Sequence, residues 1–172
     1  MGTLDLKITD SLAKVFPDEE PAGAESLRIS ALKGETVSAV VAYWGNPDER
    51  KNWKVTVDAP EGIGTRLRLV ELVPSSYPCH AHQDDNYLRT APGLFPDLLR
   101  DPDMADGAYA IQDVPGQWRS LWLDAAAETE FCGDAEIAVR FYRENGTETQ
   151  EKQVTLCLHV ADAELPEQKL LH

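Results

Sequence analysis

The chain has 172 residues, of which 42% are hydrophobic and 27% charged, as expected for one domain with its own core. Its formal net charge is −14. A surface this acidic repels phosphate backbones and anionic lipid, so the sequence predicts no nucleic-acid partner and no membrane association. The ordinary effect of such a charge is solubility.

The three cysteines, Cys79, Cys132 and Cys157, are odd in number and form no CxxC pair. This pattern is typical neither of a disulfide framework nor of a zinc knuckle. The first ten residues show no basic segment followed by an apolar one, so we expect no secretion signal. Both features favour a reducing compartment, and the predicted localisation is cytoplasmic.

Alternation of apolar and polar residues predicts strands from the start of the chain, where Leu4, Leu6 and Ile8 alternate with polar residues. The predicted strands, in chain order, are 4–8, 27–31, 35–44, 53–57, 66–73, 118–124, 134–142 and 149–160. Segment 35–44 is almost continuously apolar, as a central strand would be. Within 66–73 the apolar residues change parity, which predicts a bulge or burial on both faces.

The last two strands are predicted to form a hairpin around Asn145-Gly146, the preferred dipeptide of a type I′ turn. A two-residue turn there pairs Glu144 with Thr147 and places Ile137 opposite Val154. This register collects the aliphatic side chains on one face and sets Arg140 opposite Glu151 on the other.

Many short strands without a long amphipathic helix predict an all-β fold, a two-sheet immunoglobulin-like β-sandwich. The sandwich is interrupted by one long irregular loop insertion at about 74–116, which contains six prolines and no sustained periodicity. Segment 94–100 is the one place where a helical turn or two is expected. Loops of this length are uncommon in compact domains and are often functional, so the candidate site lies here.

The loop contains His80, His82 and Asp84, which share one side of an extended segment and are all metal-ligand types. A mononuclear metal site is therefore one hypothesis. The preferred interpretation is a polar loop without a metal, because the spacing matches no established zinc pattern. The sequence predicts no cofactor.

Catalytic patterns are weak throughout the sequence. Asp84-Asp85 could serve as a carboxylate pair, but adjacent residues in an extended segment point in opposite directions. Cys79-His80 is a dipeptide, whereas a catalytic Cys and His are usually distant in sequence. No glycine-rich phosphate-binding motif occurs. We therefore predict no catalytic residue and no enzymatic activity for this chain alone.

Four tryptophans, Trp44, Trp53, Trp118 and Trp122, lie in predicted strands. Such residues can form a platform for stacking sugars, but in a sandwich they more often pack in the core. The core interpretation is preferred for each of them. Trp118, at the exit of the long loop, is the strongest candidate for an exception.

Several segments resemble the N-terminal domain of glycoside hydrolase family 123-like bacterial proteins, including a related group known only as a domain of unknown function. The segments are QWRSLWLD at 117–124, DAEIAVRFYR at 134–143, VTLCLHVADAELP at 154–166 and the loop sequence at 76–100, within which DDNYLRTAPGLFPDLL is the most specific stretch. The resemblance extends over the whole chain.

In that family a β-sandwich precedes a TIM-type barrel, which removes N-acetyl-β-galactosamine by substrate-assisted hydrolysis with a neighbouring Asp-Glu pair. The resemblance implies a sandwich domain over residues 1–165, with 166–172 starting the linker or the first strand of a barrel that this chain lacks. It transfers no catalytic residue to this chain. The parent protein would be a glycosidase of the N-acetyl-hexosaminidase type.

The resulting expectation is a non-catalytic accessory domain whose partner is the C-terminal catalytic barrel of the same polypeptide. The residues expected to contact a ligand or the barrel are His80, His82, Asp84, Asp85, Tyr87, Arg89 and Trp118. Two alternatives stay open: an autonomous carbohydrate-binding module with a glycan as its partner, and a metal-dependent enzyme using the 79–85 cluster. An uncovered apolar patch would also permit a homodimer.

Overall fold

The computed structural model describes residues 4–48, 50–82, 85–145 and 148–164. Within these ranges the chain forms eleven strands and no helix, so the predicted all-β class is confirmed. The strands are Asp5–Asp10 (β1), Ser26–Lys33 (β2), Thr36–Trp44 (β3), Asn52–Asp58 (β4), Ile63–Ser75 (β5), Gly93–Arg100 (β6), Asp103–Ala105 (β7), Ala108–Gln112 (β8), Trp118–Ala127 (β9), Gly133–Asn145 (β10) and Glu148–Glu164 (β11).

The strands form two sheets that pack face to face as a sandwich, as predicted. One sheet has five strands in the order β1-β3-β9-β5-β6, and the other has six in the order β2-β11-β10-β4-β8-β7. Because successive side chains of a strand point to opposite faces, alternate residues of both sheets meet in one core. Side chains at most 1% exposed include Val41, Leu67 and Leu121 from the first sheet and Val55, Ile137 and Leu156 from the second.

β3 is buried on both faces, which explains its continuous apolar run. Its inner face joins the main core, while Val40 and Ala42 on the outer face pack with Val15 and Trp118 in a second, smaller cluster. Val15 belongs to the segment that follows β1 and crosses the outside of the five-stranded sheet. This segment also accepts a hydrogen bond at the Pro17 carbonyl from the backbone N–H of Trp118, at 3.0 Å.

The predicted β10–β11 hairpin is present, but its predicted register is wrong by two residues. Asn145 lies opposite Glu148, and Ile137 lies opposite Leu156 rather than Val154. A shift of two residues keeps every side chain on its face, so the hydrophobic pattern alone cannot distinguish the two registers. Arg140 consequently lies opposite Gln153, and its Nε atom pairs instead with Asp58 Oδ2 of β4 at 3.2 Å. The predicted Gly146-Thr147 part of the turn lies outside the described residues.

The change of parity in β5 was expected to reflect a bulge or burial on both faces, and the structure shows both. The pairing of β5 with β6 shifts register between Glu71 and Leu72. Leu67 and Val70 are both buried although they lie on opposite faces of the strand. The bulge therefore occurs in a strand whose two faces are both covered.

The irregular insertion is shorter than predicted, because β6, β7 and β8 all lie inside 74–116. Only residues 76–92 separate β5 from β6 without a strand. The expected helical turn at 94–100 is wrong: this segment is β6, paired with β5 at the edge of the sheet. An edge strand tolerates Pro96, whose missing N–H would break the hydrogen bonding of a central strand.

A buried carboxylate connects β4 to the segment after β8. Asp113 is 1% exposed, and its Oδ1 atom accepts a hydrogen bond from the backbone N–H of Lys51 at 2.6 Å. Its Oδ2 atom accepts from the indole N–H of Trp53 at 3.2 Å. These bonds fix the side chain of Trp53, which belongs to the main core, and connect it to the segment after β8.

Asp113→Ala should lower the free energy of unfolding by about 2 kcal/mol, because it leaves two buried donors without an acceptor. Asp103→Ala, which removes an exposed carboxylate of β7, should change it by less than about 0.5 kcal/mol. Urea denaturation of both variants tests this expectation. Equal effects of the two substitutions would contradict the role assigned to Asp113.

Candidate functional site

The loop 76–92 lies at the end of the sandwich where β5 stops and β6 begins. It borders a cavity of about 440 Å³ on the outside of the five-stranded sheet. The lining residues come from the loop, from β5 and β6, and from the segment after β1; they are Lys14, Phe16, Val73, Ser75, Pro78, Asn86, Tyr87, Leu88, Arg89, Phe95, Pro96 and Asp97. The structure thus places the predicted site residues Tyr87 and Arg89 at one cavity.

Arg89 connects the loop to the segment after β1. Its guanidinium pairs with Asp18 Oδ1 at 2.7 Å and with Glu19 Oε2 at 3.0 Å. The same group lies 3.7 Å from the ring centroid of Phe16, within the range of a cation–π interaction. Phe16 in turn packs edge-on against Phe95 of β6, with ring centroids 5.8 Å apart. The hydrogen bond from Arg89 lowers the pKa of Asp18.

His80 and His82 do not line this cavity. His80 is exposed and packs edge-on against Tyr77, with centroids 5.5 Å apart, and His82 is also exposed. In the part of the chain that the structure describes, no group of three His, Cys, Asp or Glu side chains is arranged to hold a metal ion. Asp84 lies outside the described residues, so the site of His80, His82 and Asp84 stays a prediction.

The other loop candidates contact little. Asp85 is exposed and lines neither the cavity described above nor the second cavity on the outer face of the five-stranded sheet. The carboxylate pair with Asp84, which the sequence pattern disfavours, includes a residue outside the described ones. Cys79 donates from Sγ to the carbonyl oxygen of Thr90 at 3.5 Å, a contact that ties one side of the loop to the other.

Trp118 is 7% exposed and lies in the second cluster beneath the segment after β1. Lys7 Nζ lies 5.6 Å from the centroid of its ring. Its ring therefore packs inside the protein, as does Trp53 in the main core, and neither forms an exposed stacking platform. Trp44 and Trp122 are half-buried on the outer face of the five-stranded sheet.

Asp124 is the centre of a polar cluster on the outer face of the five-stranded sheet. This cluster was not predicted from the sequence. Asp124 accepts hydrogen bonds from Ser38 Oγ at 2.7 Å, from the Trp122 indole N–H at 2.7 Å, and from Arg68. Burial raises the pKa of Asp124, but these three hydrogen bonds outweigh it and hold the pKa below the ordinary value of 3.8. The β3–β9 register, which sets Ser38 opposite Asp124, could have indicated this pair.

Comparisons with known proteins support the fold. No family model matches the chain, and no curated protein matches it. Among solved structures, a family 123 glycoside hydrolase from Clostridium perfringens, described for glycolipid glycan hydrolysis, matches 95% of this chain with a TM-score of 0.69 and 10% identity. The chain spans 28% of the length of that protein. At this identity the likeness shows a shared fold.

Two other matches are weaker. The N-terminal domain of PorA is similar over 92% of this chain and 99% of its own, at 8% identity and a TM-score of 0.45. Amebosin is similar over 79% of this chain and 96% of its own, at 16% identity and a TM-score of 0.40. Neither carries an argument about this protein. Among the described residues, no helix has the length and apolar character needed to cross a bilayer.

Arg89→Ala should increase the rate of chymotryptic cleavage within 76–92 by about fivefold, because the loop loses its ion pairs and its ring contact together. Arg89→Lys should give an intermediate rate, since an ammonium keeps the charge and lacks the planar face. Arg66→Ala, which removes a comparable exposed pair with Asp101, serves as the control. Cleavage of Arg89→Ala at the rate of the unmodified protein would exclude this role.

Asp124→Asn should alter the pH dependence of stability. The folded pKa of Asp124 is depressed, so its contribution is fully present above 3.8 and is lost as the pH falls through the folded value. The stability difference between the unmodified and variant proteins should therefore be larger at about pH 7 than at about pH 3. Urea denaturation at both pH values measures it. A difference that does not change with pH would contradict the assignment.

Proposed function

We propose that this chain is a non-catalytic N-terminal accessory β-sandwich domain of a glycoside hydrolase-like protein, followed by a TIM-type barrel that carries the chemistry. The observation that supports this most strongly is the match of nearly the whole chain to about a quarter of a larger family 123 hydrolase. A separate part of the longer polypeptide would then hold the catalytic carboxylates. The parent activity would be that of an N-acetyl-hexosaminidase.

The surface best suited to contact the barrel is the apolar patch around the loop and β6. Leu88 of the loop is 71% exposed and Leu98 of β6 is 57% exposed, and Tyr77, Leu94 and Val73 are further exposed apolar side chains of the loop, β6 and β5. Several large apolar side chains that face solvent on one loop and its flanking strands favour an interaction site. We call Val73, Tyr77, Leu88, Leu94 and Leu98 the leucine surface. Left uncovered, it would also favour a homodimer of the isolated chain.

The topology limits how a barrel could reach this surface. β11 ends at Glu164, which pairs with Lys33 at the end of the sandwich where β5 begins. The loop lies at the other end of β5, which has 13 residues and spans about 40 Å at the usual rise of a strand. A barrel that follows β11 would therefore lie along the side of the sandwich and not beyond its end.

The test compares the isolated 172-residue chain with the full-length polypeptide encoded by its gene. The full-length protein should hydrolyse a nitrophenyl N-acetyl-β-galactosaminide, and the isolated chain should not. Replacing Leu88 and Leu98 together by Ser should lower the melting temperature of the full-length protein by about 3–5 °C. The same pair of substitutions should leave the melting temperature of the isolated chain unchanged at concentrations where it is monomeric, because both side chains are exposed in it.

Met104→Ser is the matched control, because Met104 is 59% exposed and lies on β7 of the other sheet. It should leave both proteins unchanged. Hydrolysis by the isolated chain, or a gene that encodes no barrel after His172, would overturn the proposal. Analytical ultracentrifugation of the isolated chain tests the homodimer, which the paired Ser variant should weaken.

A further inference from the structure

A second cavity of about 230 Å³ lies beside the cavity at Tyr87 and Arg89, on the outer face of the five-stranded sheet. The two cavities share three lining residues, Lys14, Pro96 and Asp97. We call these two adjacent cavities together the edge groove. It runs across β6 and β5 from Tyr87 in the loop to Trp122 on β9.

Each end of the edge groove carries an aromatic side chain, and the one on β9 is held in place by an ionic neighbour. Trp122 donates its indole N–H to Asp124, which Ser38 and Arg68 also hold. Tyr87 is 44% exposed and lies two residues from Arg89, whose ion pairs fix this part of the loop. Side chains that are already fixed lose little conformational entropy when a ligand packs on them.

The middle of the edge groove offers polar groups that lack protein partners. Lys14 and Asp97 are exposed, and neither makes an ion pair or side-chain hydrogen bond with any residue that the structure describes. Ser120 is 3% exposed and lines the second cavity, and its hydroxyl has no hydrogen bond within the described residues. This hydroxyl can therefore donate to or accept from a ligand hydroxyl without giving up a bond within the protein.

The charges beside the groove disfavour an anionic ligand. Lys14 and Asp97 cancel one another, while Asp18 and Glu19 together carry two negative charges against the one positive charge of Arg89. The net charge of −14 disfavours an anionic polymer. A peptide added as an extra strand to β6 is also disfavoured, because Pro96 removes one of the edge N–H groups that such a strand needs.

We propose that the edge groove binds a neutral oligosaccharide. One sugar ring packs its apolar C–H face on Tyr87 and another packs on Trp122, while Lys14, Asp97 and Ser120 hydrogen-bond the hydroxyl groups between them. Aromatic faces beside a few fixed polar groups suit a ligand that presents both kinds of surface. This inference goes beyond the proposed accessory role, since every group involved belongs to this chain.

The test is calorimetric titration of the 172-residue chain with cellotetraose, mannotetraose and the tetramer of β-linked N-acetylglucosamine, with tryptophan fluorescence as a second readout. At least one tetrasaccharide should bind saturably and change the fluorescence. Tyr87→Ala and Trp122→Phe should each weaken that binding by about tenfold or more. Tyr77→Ala should leave the affinity within about twofold, because Tyr77 lies in the same loop but does not line the groove.

Circular dichroism establishes that each variant is folded. Tyr87 is exposed, so Tyr87→Ala tests the proposal even if Trp122→Phe is destabilised. No binding of any of the three tetrasaccharides, or binding that both variants leave unchanged, would overturn the proposal. Binding of a decamer of poly-L-proline in place of the sugars would overturn it in favour of a peptide groove. None of these results depends on the full-length protein, so the accessory role is tested separately.

Discussion

Burial of β9 on both of its faces is the constraint on which the rest of the structure depends. Its inner residues Leu121 and Leu123 are fully buried in the main core between the two sheets. Its outer face is covered at Trp118 by the segment after β1, and at Ser120 and Trp122 it forms the wall of a cavity. One face of β9 therefore lies at the centre of the fold, and its other face forms part of the most specialised surface of the domain.

The alternation of apolar residues predicted most strands of the core, because one-sided burial leaves a period of two in the sequence. It could not fix the β10–β11 register, since a slip of two residues preserves every face. It also missed β6, β7 and β8, which all lie inside the predicted loop. In β6, Pro96 and unequal burial give no alternation. An edge strand is stabilised by its single neighbour, β5, and not by its own pattern.

The long proline-rich segment directed attention to the loop, and two of the residues named from the sequence, Tyr87 and Arg89, line the cavity beside it. The other half of the edge groove comes from Lys14, Asp97, Ser120 and Trp122, which are far apart in sequence and meet only through the order of strands in the sheet. The position of Trp118 at the exit of the long loop made it the strongest candidate for a tryptophan outside the core. The segment after β1 covers its ring, and sequence periodicity does not report such a cover.

Under the proposed accessory role, the leucine surface contacts a catalytic unit elsewhere in the same polypeptide. The most direct test is an experimental structure of the full-length polypeptide. The account predicts a barrel packed along the side of the sandwich, with Leu88 and Leu98 buried against it. A barrel packed on the six-stranded sheet, with both leucines exposed to solvent, would contradict it.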